Sequence, residues 1–132
     1  MLKGTNMDLA HHRLTTAKEC LITAKRDLDN EDYKASANRS YYAIFHLMRV
    51  ILALDGVDFK KHSGVISYFN KEYIKTGKFD VEFAGVITMA FKVRNKCDYD
   101  DFYVVVKEDV KQQLIDAEKF IEAVHNFYQQ AK

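Results

Sequence analysis

The chain has 132 residues, enough for one domain with a real core and short for two. Apolar residues make up 48% and charged residues 30%, the balance of a globular rather than a disordered protein. With 20 basic and 19 acidic side chains the net charge is +1, so any contact with nucleic acid has to rest on a local patch, not on a global field.

The N-terminus, MLKGTNMDLAHHR, lacks the apolar run of a signal peptide. No stretch approaches the ~20 apolar residues of a membrane span, and a cytoplasmic protein is expected. The chain contains no Pro and five Gly, so turns are few and long helices are the economical expectation. Breaks at Asn30, Gly56, Gly77 and the acidic run Asp98–Asp101 divide it into about five helices.

The first predicted helix runs from Asp8 to Asp29, with a seam at Leu14, Ala17, Leu21, Ala24 and Leu28. The second spans Asp32 to Leu54. On it Tyr41, Ile44, Met48 and Leu52 fall together while Ala43, Leu47 and Val50 lie opposite, so it is expected to be central in the bundle and shared with a second subunit. A third helix is expected over Ser63–Thr76, with Ser63 as N-cap and Gly77 just past its end. The fourth begins near Asp80 and buries Phe83, Ile87, Ala90 and Phe91, with Arg94 at the end of that stripe. Asp98 to Val106 reads as an extended connection with a short strand at Val104–Val106. The last helix, Lys107–Gln130, has its seam at Val110, Leu114, Ala117, Ile121, Val124 and Tyr128. Seams of this period favour near-parallel packing, so residues 1–132 are read as a single all-α domain, an up-and-down bundle of four to five helices.

Arg94 stands where the fourth helix faces inward, and a charge there needs a partner. Asp98 is four residues on and in reach if the helix continues that far. The structural reading is an ion pair closing a helix, with Tyr99 packed below it. The functional reading is a phosphate-binding arginine oriented by an acid, beside a tyrosine that stacks on a base. On the second helix Asn38, Tyr42, Phe45 and Arg49 share an arc that His46 borders. Asn38 needs a hydrogen-bond partner, for which Arg94 or Asp98 is the candidate.

Other features are weaker. His11 and His12 are adjacent on a helix and point about 100° apart, which disfavours joint chelation. The DYDD run lacks the glycine and third ligand of a calcium loop. Cys20 and Cys97 are far apart and without a CxxC pattern, so neither a zinc site nor a disulfide scaffold is expected. Lys60, Lys61 and His62 read as a solvated basic loop. No metal and no cofactor is expected.

The strings NRSYYAIFH at 38–46, HSG at 62–64 and RNKCDY at 94–99 together resemble the HEPN superfamily, the higher eukaryote and prokaryote nucleotide-binding domain, in its small stand-alone prokaryotic branch. The likeness covers nearly the whole chain. It implies a helical bundle that dimerises, with a cleft at the two-fold interface. Many members are metal-independent ribonucleases, and several are toxins encoded beside a minimal nucleotidyltransferase that acts as antitoxin. The family's nuclease motif is Arg, four residues, then His, with a further Tyr two places on.

Here Arg94 matches the arginine and Asn95 the polar residue after it, but Tyr99 stands in the histidine position and Asp101 where the further tyrosine falls. A histidine with pKa near 6.5 exchanges protons at neutral pH, whereas a tyrosine near 10 is a poor base. The resemblance therefore implies first a dimeric binder of RNA or nucleotide, partner of a minimal nucleotidyltransferase, with Asn38, Tyr42, His46, Arg94, Asn95 and Lys96 as binding residues. A second reading is an active metal-independent ribonuclease toxin with Arg94, Asp98 and Tyr99 as catalytic residues. A third is a purely structural or interaction bundle.

Overall fold

The computed structural model describes residues 2–132. Helix α1 (Leu2–Asp29) turns into α2 (Tyr33–Asp55); α3 (His62–Phe69) continues into one wide turn, Asn70–Ile74; α4 (Glu82–Tyr99) and α5 (Lys107–Ala131) complete an all-α bundle. Among the described residues there is no strand: Val104–Val106 belongs to the irregular α4–α5 connection, with only Val105 buried.

The helix ends follow from local chemistry. Gly56 closes α2 in the left-handed region (φ 72°), its N–H bonding the Ala53 carbonyl while that of Val57 reaches back to Leu52. This is a Schellman end, which glycine adopts without strain. The same pattern ends α1, but there the left-handed residue is Glu31 (φ 63°), so the break lies one residue past Asn30. Gly77 is left-handed as its place after the third helix requires. Ser63 is not the cap of α3. The extended Lys61 is, its carbonyl accepting from Gly64 and Val65, which draws His62 into the first turn. Val81 holds the N-cap position of α4, one residue past the expected Asp80, whose side chain accepts the Glu82 N–H at 2.9 Å. Helix α1 begins at Leu2, six residues before the expected Asp8, and α4 runs on through Asp98 to Tyr99.

Helix α2 occupies the middle and packs against α1, α3, α4 and α5. Both of its apolar arcs are used inside this one chain: Tyr41, Ile44, Met48 and Leu52, and also Ala43, Leu47 and Val50, are buried. The seam of α1 is buried at Ala10, Leu14, Ala17 and Ala24. On α5 the buried stripe takes in Phe120, while Ile121, expected in the seam, is only partly buried; the Phe120 ring fits among those of Phe69, Phe79 and Phe83. Two buried hydrogen bonds tie α2 to its neighbours: Ser36 Oγ donates to the Ala24 carbonyl (2.7 Å) and Gln113 Nε2 to that of Ala37 (3.0 Å). No helix among the described residues is long and apolar enough to cross a membrane.

Candidate functional site

The exposed end of the α2–α4 contact carries an aromatic floor with charges laid on it. Tyr41, Tyr42 and Phe45 pack ring against ring on α2. Arg94, reaching across from α4, sets its guanidinium carbon 5.5 Å from the Tyr41 ring and 5.9 Å from that of Tyr42. Arg39 lies over the Tyr42 ring at 5.4 Å and Arg49 over Phe45 at 5.8 Å. Such stacking holds a guanidinium flat while leaving its in-plane donors available.

Arg94 Nε lies 3.0 Å from Asp98 Oδ2, yet that N–H is not aligned as a hydrogen bond. Its other nitrogens make only long contacts, Nη2 donating to the Tyr42 hydroxyl at 3.4 Å and Nη1 to Asn95 Oδ1 at 3.5 Å. A guanidinium with five donors so loosely engaged keeps capacity for an incoming oxyanion.

A second set of charges lies one turn along. Arg13, buried on α1, donates to the Arg49 carbonyl (2.8 Å) and to Asp58 Oδ2 (3.1 Å), and Arg49 donates to the same oxygen at 3.0 Å. Burial pushes the Asp58 carboxyl up, but the bonds from Arg49 and the Phe59 N–H and the two arginine charges outweigh it and leave Asp58 below the usual carboxylate value. Phe45, Arg49, Asp58, Phe59 and Lys60 surround an open cavity of about 390 Å³ here.

Two histidines border the same floor. Burial, then the charges of Arg49, Arg13 and Arg39, lower His46 to about 4, and its Nδ1 is buried without a partner. His62 Nδ1 lies 2.7 Å from the Tyr41 hydroxyl, and its ring stands 4.1 Å from that of Phe45. Burial, with the nearby Arg94 and Arg49 charges, lowers its pKa below 6.5. Both are therefore neutral at pH 7. Burial raises Tyr41 to about 12 despite Arg94, so it keeps its proton.

The residues singled out in the sequence divide accordingly. Arg94, Tyr42, Asn95 and His46 come together. Asp98 joins them because α4 extends one turn beyond Arg94. Asn38 finds its partner in Arg39 Nη2 (3.0 Å) rather than Arg94 or Asp98, since its immediate neighbour is the nearer donor. Tyr99 is 78% exposed, so it does not pack beneath the ion pair. Lys96 points away: it lies over the Tyr103 ring (5.5 Å) and lines a groove of about 590 Å³ on the other flank of α4, because two helical residues span some 200°. Sequence reasoning missed Asp58 and read His62 as solvated. His62 was marked only by its place in the HSG string. Gly64 of that string is explained by packing, for a Cβ there meets Phe59 Cβ at 2.9 Å.

Comparison with known proteins agrees with this architecture. The family model described as HEPN domain matches residues 10–127. The UPF0332 protein of Thermotoga maritima is 37% identical over 88% of this chain and 88% of its own length. Two Methanocaldococcus jannaschii proteins named as candidate toxins are also similar. One is 34% identical over 74% of this chain and 67% of its own length, the other 31% identical over 82% and 80%.

Proposed function

The chain belongs to the HEPN domain family, and from that premise we propose that it binds RNA or nucleotide as a dimer, holding phosphate on Arg94 and stacking bases on the tyrosines around it. The observation that carries this reading is the seating of Arg94: a guanidinium laid on Tyr41 and Tyr42 with two nitrogens only loosely bonded. Arg39, Arg49, Lys60 and Lys61 add positive charge nearby, supplying the local patch that a net charge of +1 withholds globally. The expected partner is a minimal nucleotidyltransferase in a toxin–antitoxin pair, a setting supported by the toxin names of two relatives.

Titration of short RNAs and of ATP into wild type and Arg94→Ala tests the site. Affinity is expected to fall with salt and to drop at least tenfold in the variant. Equal affinity in the two proteins, or none in either, overturns the reading. Sedimentation of the pure protein tests the dimer.

A second reading, metal-independent RNA cleavage at the same face, is favoured by one specific observation. Although Tyr99 replaces the motif histidine, two other neutral histidines border the Arg94 floor.

A further inference from the structure

Arg13 is a cation inside the bundle, 7% exposed, and a charge so placed is costly unless its donors are met. Both of its partners belong to the setting of Arg49. Nη1 donates to the Arg49 carbonyl at 2.8 Å, and Nη2 donates to Asp58 Oδ2 at 3.1 Å. That same oxygen accepts from Arg49 Nη2 at 3.0 Å. The Arg49 guanidinium also lies over the Phe45 ring at 5.8 Å. A ring and a carboxylate therefore hold it in place. Asp58 is nevertheless the only hydrogen-bond partner of its five donors among the described residues.

This held cation opens on a cavity. Phe45, Arg49, Asp58, Phe59 and Lys60 line it, and at about 390 Å³ it falls within the size range of small-ligand clefts. Arg13, Arg49 and Lys60 set three positive charges there against the one carboxylate of Asp58. Lys60 forms no ion pair among the described residues, and Phe59 is 43% exposed. A row of rings joins the cavity to Arg94. Arg94 lies over Tyr41, Tyr41 stacks on Phe45 with centroids 6.1 Å apart, and Arg49 covers Phe45. The two guanidiniums stand on neighbouring rings, so one strand lying along the row meets both.

We propose that the Arg49 cavity is a second nucleotide subsite, and that the ligand of this face is a single RNA strand of two or more nucleotides rather than a free nucleotide. The proposal rests on the RNA reading above and names its substrate class. Arg94 holds one phosphate. Arg49 and Lys60 hold the phosphate of a further nucleotide, whose base lies against the exposed Phe59 ring. A base can lie there only when it is not paired in a duplex, which selects a single strand. Asp58 and Arg13 are positioning residues: they keep Arg49 ordered before the strand arrives, so less freedom is lost on binding.

The experiment titrates AMP and a 2′-O-methyl tetranucleotide, whose blocked sugars prevent cleavage, into wild type, Arg49→Gln, Lys60→Gln and Phe59→Leu at several salt concentrations. Wild type is expected to bind the tetranucleotide at least about tenfold more tightly than AMP. Arg49→Gln is expected to lose about tenfold on the tetranucleotide and no more than about threefold on AMP. Its slope of log affinity against log salt should also fall by about 0.7, the share of one phosphate contact on a single strand. A purely structural Arg49 would lower stability and leave that slope alone. Phe59→Leu is expected to lose about fivefold on the tetranucleotide with the slope unchanged, and full affinity in that variant overturns the placing of the base. Three results overturn the subsite and leave the Arg94 reading intact: equal wild-type affinity for AMP and tetranucleotide, wild-type affinity and slope in folded Arg49→Gln, or an equal loss on both ligands in that variant. Absence of binding of either ligand by wild type overturns the binding reading instead. Should Arg49→Gln not fold, Lys60→Gln, on the exposed rim, decides by the same affinity ratio and slope.

Discussion

Arg94 and Asp98 lie on one stripe of α4 with 3.0 Å between Nε and Oδ2, and the pair exists because the helix continues through an acidic, aromatic stretch to Tyr99. Its energetics are set by exposure, since the Asp98 side chain is 34% exposed. An exposed i,i+4 pair is worth only about 0.5 kcal/mol. Asp98→Asn should therefore leave the denaturation midpoint nearly unchanged. On the proposed reading, removing a negative charge beside Arg94 should tighten RNA binding a few-fold at low salt, opposite in sign to Arg94→Ala. Urea titration and binding at two salt concentrations check both halves.

Asp58 is a different kind of acid. It receives two arginines on one oxygen, and one of them, Arg13, is buried. Asp58→Asn leaves two cations facing each other across a neutral amide, and about 1–2 kcal/mol of stability should go, less than for a fully buried pair because Asp58 itself reaches solvent. The folded-state value of Asp58 lies below its ordinary 3.8, so its contribution is present above that value and is lost as pH falls through the lower folded one. Unfolding free energies of wild type and variant should converge below about pH 4, and a constant difference down to pH 2 counts against the assignment.

Much of this fold is legible in the sequence because helices with a heptad-like seam bury what the seam exposes: Leu14, Ala17, Ala24, Val110 and Ala117 are where periodicity puts them. What periodicity cannot see is contact between segments distant in the chain. His62 reads as a loop residue until the extended Lys61 turns it onto Phe45, seventeen positions away, and Asp58 has no local signal at all. Lys96 fails for the converse reason, since nearness in sequence to Arg94 puts it on the far side of the helix.

Glu31 carries a cost visible in its backbone alone. At φ 63° it occupies a region that disfavours a Cβ by about 1–2 kcal/mol, and its side chain is exposed. Glu31→Gly should raise stability by about 1 kcal/mol, the removed strain exceeding the added chain entropy of glycine. The check is a rise in denaturation midpoint with RNA binding unaltered.

Gly64 has the opposite sign. Its φ is not left-handed, so only space matters, and an added methyl group comes within 2.9 Å of Phe59 Cβ. Gly64→Ala has to move the 57–61 segment or the first turn of α3, at about 1–3 kcal/mol. His62 lies in that turn, so its ring should lose register with Phe45 and Tyr41. Loss of stability together with a shifted His62 imidazole resonance is the expected result, and an unshifted resonance shows that Phe59 alone gives way.

His46 makes the stability of the bundle sensitive to mild acid. Its folded value of about 4 lies below the ordinary 6.5, because burial and then the charges of Arg49, Arg13 and Arg39 oppose protonation. The unfolded chain takes up the proton first as pH falls, so the contribution is complete above 6.5 and drains away between 6.5 and about 4. At 1.36 kcal/mol per pKa unit the loss is on the order of 2–3 kcal/mol. Replacing the ring with an apolar one, His46→Phe, removes the titration while keeping the contacts with Tyr42 and Phe45. Wild type should weaken by that amount from pH 7 to pH 4.5 while the variant stays level over the same interval. Parallel decline of the two would place the acid sensitivity elsewhere than on His46, and not on Asp58, whose contribution is intact above its ordinary 3.8.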